Sequence, residues 1–144
     1  MTDRSVMTST FTLERTYSAP PSIVFGAWAD PETKRSWFAP TADAHDLDFR
    51  VGGQEVNTAG DMRFTSTYHD IVDGERIVYT STLANRDETV TVSLTSVQFV
   101  ADGDGTRLEL TEQNSFLDGH EQPSWREQGT ATWLDALGAA VSGS

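Results

Sequence analysis

The stretch Pro123–Val141 reads PSWREQGTATWLDALGAAV, and it decides how the rest of the chain is arranged. Apolar side chains recur in it at spacings of three, four and eight residues, which places them on one face of a helix of about five turns. The side chains on this face are Trp125, Trp133, Leu134, Leu137, Ala140 and Val141. Pro123 suits a first helical turn, where the N–H that proline lacks needs no partner. We therefore predict a long helix with one buried face.

Three charged residues and one glycine interrupt the apolar pattern of this predicted helix. Arg126, Glu127 and Asp135 fall off the apolar face, so we expect them to face water. A glycine inside a helix costs about 1 kcal/mol relative to alanine. Gly129 is therefore expected where the helix passes close over another surface or bends.

The composition limits the classes of function. The 144 residues fit one domain, and the seven Phe, three Tyr and four Trp supply a substantial core. The net charge of −12 argues against nucleic acid and anionic membrane surfaces as partners, because both select basic patches. Cysteine is absent, which excludes disulfides, thiolate metal sites and cysteine nucleophiles.

The first ten residues, MTDRSVMTST, contain no apolar run of the kind found in secretory signal peptides. No run approaches the length of about 20 apolar residues needed to span a bilayer. We expect a cytoplasmic protein without membrane insertion. Residues 1–9 are expected to form a flexible tail, and residues 10–144 a single domain.

The N-terminal part of this domain predicts one strand and two short helices. Phe11–Tyr17 alternates apolar and polar side chains and predicts a half-buried strand. A helix is predicted at Ser22–Ala29, with Ala27 and Trp28 on its apolar face. Asp30 is placed to cap a second helix that ends near Phe38.

Alternating runs separated by glycine turns predict three antiparallel strand pairs after these helices. The turns are Gly52-Gly53, Asp73-Gly74 and Asp102–Gly105. In the strand before the last turn the apolar positions change parity after Leu94, which predicts a bulge near Thr95 or Ser96. The element order predicts an α+β fold: a curved antiparallel sheet of six to seven strands around the long C-terminal helix.

Four stretches and the final helix resemble one protein family. They are FTLERTYSAP at 11–20, PETKRSWFAP at 31–40, DFRVGG at 48–53, YHDIVDGERIVYT at 68–80 and, in the helix, EQGTATWLDAL at 127–137. In this order and spacing they resemble the START-like (SRPBCC) superfamily, which has the helix-grip fold. The closest resemblance is to the family named after the activator of the ninety-kilodalton heat-shock chaperone, and it covers residues 11–141.

This resemblance implies a cavity between the curved sheet and the long helix, open near the two short helices. Many relatives hold an apolar or amphipathic small molecule there. Many also carry Trp directly after the helix glycine, where this chain has Thr130 and places Trp133 further along. The difference changes the cavity wall, so a relative's ligand is not transferred to this chain.

An aromatic set forms the candidate ligand-binding site, with one carboxylate added to it. The candidates are Trp37, Phe38, Phe64, Tyr68, Tyr79, Glu112, Trp125 and Trp133. Aromatic side chains at these periodicities also form ordinary core, which is the alternative interpretation of each. Tyr68 and Tyr79 are favoured because each adds a hydroxyl to an apolar wall. Trp125 and Trp133 face either the cavity or the sheet.

Glu112 is the candidate for chemistry within this set. Glu112 and Asn114 share the strand parity of the apolar Leu110, so both are candidates for polar groups inside the cavity. A carboxylate buried there would have its pKa raised by desolvation and could act as an acid or base. Arg50 and Arg76, beside glycine turns, reach either a ligand carboxylate or a surface ion-pair partner.

The histidines do not indicate a metal site or a catalytic dyad. His69 and Asp70 are adjacent on a strand, so they point to opposite faces unless a bulge intervenes. His45, His69 and His120 lie far apart, without the i, i+4 spacing of a helical zinc site. We therefore predict no metal and no cofactor, and we assign a catalytic role to no residue.

Three functions follow from these observations. The first is a binding protein, monomeric or homodimeric, that holds a small apolar or amphipathic molecule. The alternative is a cyclase- or hydratase-type enzyme acting on an aromatic or polyketide-like substrate. The third, implied by the family name, is a chaperone-interaction module. An inward-facing ionisable group favours the enzyme, whereas an exposed apolar patch favours the interaction module.

Overall fold

The computed structural model describes residues 4–142, which form seven strands and three helices. The strands are β1 (Val6–Tyr17), β2 (Ala44–Leu47), β3 (Gln54–Ala59), β4 (Met62–Val72), β5 (Arg76–Asn85), β6 (Glu88–Asp102) and β7 (Gly105–Leu117). The helices are α1 (Pro21–Ala29), α2 (Pro31–Phe38) and α3 (Pro123–Ser142). The predicted α+β class and the predicted order of elements are confirmed.

All seven strands form one antiparallel sheet in the order β1-β7-β6-β5-β4-β3-β2. Helices α1 and α2 carry the chain from one edge strand, β1, to the other, β2. Helix α3 packs against β1, α1 and α2. Within residues 4–142, no helix combines the length and apolarity needed to cross a bilayer.

The inward face of the sheet is set by strand alternation, most regularly on β7. Its buried residues are Thr106, Leu108, Leu110, Glu112, Asn114 and Phe116. The predicted parity of Glu112 and Asn114 is therefore confirmed. Leu134 and Leu137, from the predicted apolar face of α3, are fully buried in the same core as Leu110.

The middle of α3 is tied to the first strand. The Tyr17 hydroxyl donates a hydrogen bond to the Leu134 carbonyl oxygen at 2.8 Å. A Cβ added at Gly138 would lie 3.2 Å from Cε1 of Tyr17. The close approach that we expected at Gly129 therefore occurs at Gly138, one residue after the buried Leu137.

The register of β6 differs from the prediction. β6 pairs with β7 without interruption from Thr91 onward, and its shift against β5 falls at Val90, so the bulge predicted near Thr95 or Ser96 is wrong. After Val90 the inward residues are Thr91, Ser93 and Thr95, and the outward ones are Val92 and Leu94. Apolar parity misled the prediction because the inward hydroxyls serve buried charged groups, which stabilise polar side chains in the interior.

Strand β1 begins earlier than predicted. Val6–Ser9 pair with Asn114–Leu117 of β7, so β1 includes four of the nine residues that were assigned to the N-terminal tail. Alternation did not reveal this segment because its side chains are mostly exposed, whereas strand pairing depends on the backbone. Residues 1–3 of the predicted tail, and residues 143–144, lie outside the described residues.

Candidate functional site

A pocket of about 260 Å³ lies beside the N-terminal half of α3. Its walls come from the end of α2, from β3, β4 and β5, and from the first turns of α3. Six large apolar side chains line it: Phe38, Met62, Phe64, Leu83, Trp125 and Trp133. Phe38, Phe64, Trp125 and Trp133 belong to the predicted ligand-binding set, so the fold brings half of that set to one cavity.

Three aromatic rings form a continuous wall of this pocket. The Trp133 ring lies 4.5 Å from the Phe38 ring and 6.2 Å from the Phe64 ring, between ring centroids. The Phe38 and Phe64 rings are 5.8 Å apart. These separations and their steep interplanar angles are favourable for aromatic pairs. Trp133 therefore packs toward the pocket and the sheet together.

Trp125 occupies the mouth of the pocket. It was predicted on the buried face of α3, but its side chain is 60% exposed. The first turns of α3 lie over the pocket, so no core side chains meet Trp125 there. Exposed large aromatic residues at a cavity mouth are typical of binding surfaces.

Gly129 keeps the pocket open. A Cβ added at Gly129 would meet no other group within 4 Å, so the predicted close approach at this residue is wrong. Thr130 is fully buried and donates its hydroxyl to the Arg126 carbonyl oxygen at 3.0 Å. The two small residues leave space where a larger side chain would occupy the cavity.

Arg126 lines the pocket and is buried, which corrects the prediction that it faces water. Its Nε donates to Glu112 Oε2 at 2.8 Å, and its Nη2 donates to Ser93 at 3.3 Å. Its guanidinium carbon lies 5.2 Å from the Phe64 ring centroid. A buried guanidinium needs such partners, and helical periodicity does not reveal them because they come from β6 and β7.

Glu112 lies behind Arg126 and is not one of the pocket-lining residues. It also accepts a hydrogen bond from the Thr95 hydroxyl at 3.2 Å. The predicted inward position is correct, but Glu112 is an ion-pair partner and not an isolated carboxylate. The reason for expecting acid–base chemistry at Glu112 is thereby removed.

A second carboxylate, Glu121, stands on the other side of Arg126 and lines the pocket. Its Oε1 lies 3.9 Å from Arg126 Nη1 and accepts a hydrogen bond from the Thr91 hydroxyl. Sequence analysis did not single out Glu121, because it lies in the loop before α3, where no periodicity applies. The hydroxyl residues on the inward face of β6 were the available sign in the sequence that charged side chains face this strand.

Trp37, Tyr68 and Tyr79 were predicted to bind ligand, but they lie in the core and do not line the pocket. Trp37 Nε1 donates to the Ala27 carbonyl oxygen at 3.0 Å. Burial raises the pKa values of Tyr68 and Tyr79 above the usual range. Their burial on helix α2 and strands β4 and β5 agrees with the alternative interpretation of these three residues, ordinary core.

A second buried ionic cluster joins α2, β2, β3 and β4. Glu55 Oε1 accepts hydrogen bonds from Lys34 Nζ at 2.9 Å and from the Tyr68 hydroxyl at 2.8 Å. Glu55 Oε2 lies 2.7 Å from His45 Nε2. Sequence analysis missed this cluster, although its members include the chain's single lysine, a residue type that is rarely buried without a partner.

The electrostatics of this second cluster favour a charged carboxylate. Burial by itself raises the pKa of Glu55, but the Lys34 ammonium and hydrogen bonds from His45, Lys34 and Tyr68 lower that pKa to about 2. The Lys34 ammonium also lies 4.5 Å from the Phe38 ring centroid and 4.9 Å from that of Trp28. The cluster therefore stabilises the packing behind the aromatic wall.

The remaining sequence candidates form ordinary surface contacts. A register shift places a bulge at His69, whose Nε2 lies 2.7 Å from the Thr80 hydroxyl. Asp70 pairs with Arg76, so His69 and Asp70 do not form a dyad. Arg50 pairs with Asp48 at 2.9 Å. The surface ion pairs predicted for Arg50 and Arg76 are confirmed.

Three surface side chains meet near the start of β6, away from the pocket. Glu88, Asp118 and His120 offer potential ligand atoms that all lie within 4.8 Å of one another. Sequence spacing did not bring this trio together, because Glu88 begins β6 whereas Asp118 and His120 lie in the loop after β7. His120 Nε2 contacts the carboxylate of the exposed Glu88, and this contact accounts for the arrangement without an ion.

Residues 18–142 match the model of the protein family described as "Activator of Hsp90 ATPase homolog 1-like protein". The chain belongs to this family. The resemblance inferred from the sequence is thereby confirmed, and the helix-grip arrangement of a curved sheet and a long C-terminal helix agrees with it. Among curated proteins, none matches the chain.

Solved structures of other proteins superpose over nearly the whole chain. An uncharacterized protein of Rhizobium leguminosarum is 38% identical, with a TM-score of 0.94 over 98% of this chain and 99% of that one. The Mll3558 protein of Rhizobium loti is 43% identical, with a TM-score of 0.87 over 94% and 99%. CalU16 of Micromonospora echinospora shares the fold at 21% identity, with a TM-score of 0.70 over 99% and 87%.

Proposed function

We propose that this family member is a small-molecule-binding protein that holds a compact apolar or amphipathic ligand between α3 and the sheet. The observation that supports this function is the pocket itself, with an aromatic wall of Phe38, Phe64 and Trp133 and an exposed Trp125 at its mouth. Concave sites with apolar walls and a few polar groups are the usual form of ligand sites. The open position at Gly129 supports the same proposal.

The size of the pocket points to a compact ligand. Its volume of about 260 Å³ lies just below the range of roughly 300–1,000 Å³ that is typical for drug-sized ligands. A molecule with one ring and a short polar side chain fits this volume better than a long lipid chain. The ligand class proposed is therefore a small aromatic or branched aliphatic molecule with one polar end.

The two alternatives lack a supporting observation. A cyclase- or hydratase-type enzyme needs a proton-moving group at the pocket, but the residue proposed for that role, Glu112, is held by Arg126 and Thr95. A chaperone-interaction module needs an exposed apolar patch. Val92 and Leu94 are exposed side by side on the outer face of β6, and all of their partners on the neighbouring strands β5 and β7 are polar. A small apolar pair of this kind is normal at a protein surface.

The proposal is tested by the indole N–H signals of the four tryptophans in ¹H–¹⁵N spectra, during titration with 2-phenylethanol. Trp125 and Trp133 line the pocket, whereas Trp28 and Trp37 lie in the core. We expect the first two signals to shift and the other two to stay in place. A native mass spectrum of the freshly purified protein then shows whether a ligand is carried along.

Gly129→Leu is the decisive variant, because Gly129 lines the pocket and a Cβ added there meets nothing within 4 Å, so the larger side chain occupies pocket space. Replacing a helical glycine by leucine stabilises a helix by up to about 1 kcal/mol, so lost binding is not explained by unfolding. The matched control is Gly26→Leu on α1, which also meets nothing within 4 Å and lies outside this pocket. We expect at least a tenfold loss of affinity in the first variant alone. Equal affinity in both variants would exclude this pocket.

A further inference from the structure

We infer that the pocket selects ligands whose polar end is an ammonium group and discriminates against carboxylates. This inference rests on the proposed function and concerns the same pocket. It names the substrate class through the charge that the site presents. The polar end of the pocket consists of Arg126 and Glu121, with Glu112 directly behind them.

The charges around the polar end sum to a negative value. Arg126 supplies one positive charge, and the carboxylates of Glu112 and Glu121 lie 2.8 Å and 3.9 Å from its guanidinium nitrogens. One guanidinium between two carboxylates leaves one net negative charge beside the cavity. The net charge of −12 adds a long-range potential of the same sign. A ligand cation is therefore attracted, and a ligand anion is repelled.

Two of the five N–H donors of Arg126 are already occupied. A carboxylate binds a guanidinium best as a bidentate pair, on two parallel N–H donors. The Nε–Nη2 edge of Arg126 already donates to Glu112 and Ser93. A ligand carboxylate at the remaining Nη1 side would lie beside Glu121, whose Oε1 is 3.9 Å from Nη1, and the two anions would repel each other.

Unused acceptors remain among the residues that line the pocket. Both contacts of Glu121 are made through Oε1, which leaves Oε2 for a ligand donor. Asn57 also lines the pocket, and its buried Oδ1 has no hydrogen-bond partner among residues 4–142. Buried polar atoms without partners favour a ligand that supplies the missing donor. An ammonium group offers three donors, whereas a carboxylate offers none.

The aromatic wall also favours a cation. Ammonium groups are attracted to the faces of tryptophan and phenylalanine rings within about 6 Å of the ring centroid. Trp125, Trp133 and Phe64 line this pocket, and the Arg126 guanidinium already lies over the Phe64 ring. Trp125 is exposed, so a ligand ammonium at the mouth keeps part of its hydration and loses little solvation energy.

Three probes that differ in their polar end test the inference: 2-phenylethylamine, 2-phenylethanol and phenylacetate. Each is titrated at pH 7, with the Trp125 and Trp133 indole signals as the measure of binding. We expect the amine to bind at least tenfold more tightly than phenylacetate, with the alcohol between them. The ranking should persist in 0.5 M salt, because a direct contact is screened far less than the field of distant charges.

Glu121→Gln separates the local contact from the overall charge of the chain. We expect this variant to lower the affinity for 2-phenylethylamine about fivefold and the affinity for 2-phenylethanol by less, so that the preference for the amine over the alcohol narrows. The matched control is Glu127→Gln, which removes the same charge from an exposed position of α3 outside the pocket. The control should retain the affinities of the unaltered protein for all three probes.

The outcomes distinguish this inference from the function on which it rests. If phenylacetate binds as tightly as the amine, or if Glu121→Gln and Glu127→Gln behave alike, the inference is wrong while the pocket still binds ligands. If none of the three probes shifts the Trp125 or Trp133 signals, the proposed function fails and the inference fails with it.

Discussion

Two buried ionic clusters lie on the inward face of the sheet, and they differ in how completely their polar groups are paired. In the cluster around Glu55, Oε1 accepts from Lys34 and Tyr68, and Oε2 lies against His45. The Glu55 and Lys34 side chains are almost fully enclosed. Neither Glu55 nor Lys34 lines the pocket beside α3.

The cluster around Arg126 is incompletely paired and lies beside open space. Glu112 and Ser93 occupy one edge of the guanidinium, whereas Glu121 lies at 3.9 Å with one oxygen unused. The unpaired Oδ1 of Asn57 adds a further acceptor beside the same cavity. Similar residue types therefore serve two purposes: complete pairing stabilises packing, and incomplete pairing next to a cavity leaves groups that recognise a ligand.

The largest expected effect on stability comes from breaking the fully paired cluster around Glu55. Lys34→Met leaves the buried Glu55 carboxylate without its cation, and removing one partner of a buried pair typically costs 3–5 kcal/mol, so we expect a loss of about 4 kcal/mol in the free energy of unfolding. Urea denaturation measures this loss. Arg50→Met, which breaks the exposed Arg50–Asp48 pair, is the control and should cost less than about 1 kcal/mol. Equal losses in the two variants would contradict the assignment of Glu55 as a saturated structural carboxylate.

The cluster around Glu55 also makes the free energy of unfolding depend on pH. The pKa of Glu55 is lowered from 4.5 to about 2 in the folded protein, although burial opposes this shift. Its stabilising contribution is therefore complete above pH 4.5 and is lost as the pH falls from 4.5 toward 2, by about 3 kcal/mol in total. Unfolding of the unaltered protein and of Glu55→Gln, measured in parallel, should show a stability difference that narrows over this pH interval. A difference independent of pH would be inconsistent with a depressed pKa.

Breaking the incompletely paired cluster around Arg126 should destabilise the protein less. Arg126→Met leaves the Glu112 carboxylate without its cation, but water entering from the pocket partly hydrates that carboxylate. We expect a loss of about 2 kcal/mol in urea denaturation, below the loss in Lys34→Met. A larger loss in Arg126→Met than in Lys34→Met would reverse the comparison between the two clusters.

The smallest expected effect on stability belongs to Glu121→Gln. Glu121 is partly exposed and its contact with Arg126 is long, at 3.9 Å. Substitutions at such positions usually change stability by no more than about 0.5 kcal/mol. Urea denaturation should therefore show no resolved change, while amine binding falls. A stability loss above 1 kcal/mol would place Glu121 among the structural groups.

Local patterns in the sequence were sufficient for the architecture. The apolar face of α3 predicted the burial of Leu134 and Leu137, and the parity of β7 placed Glu112 inward. Asp30 caps α2 as expected, accepting a hydrogen bond from the Thr33 N–H at 2.9 Å. These predictions succeed because periodicity and capping depend on neighbours within a few residues.

The same patterns were insufficient for the site. Trp125 is exposed and Arg126 is buried, the reverse of their expected environments, because the side chains opposite them on the sheet and the cavity decide what each one meets. The change in apolar parity along β6 was interpreted as a bulge, because the charged partners of its inward hydroxyls lie on other elements. Pairing between distant segments leaves no periodic signal in the chain.

The sequence by itself determined the family, the order of strands and helices, and the faces of β7 and α3 that become core. Only the tertiary structure decided that Gly129 opens a cavity, that Glu55 is saturated, and that Arg126 lies between two carboxylates. The reason is physical. Helix and strand periodicity arise within one segment, whereas a pocket and the charge at its end depend on distances between residues that are remote in sequence.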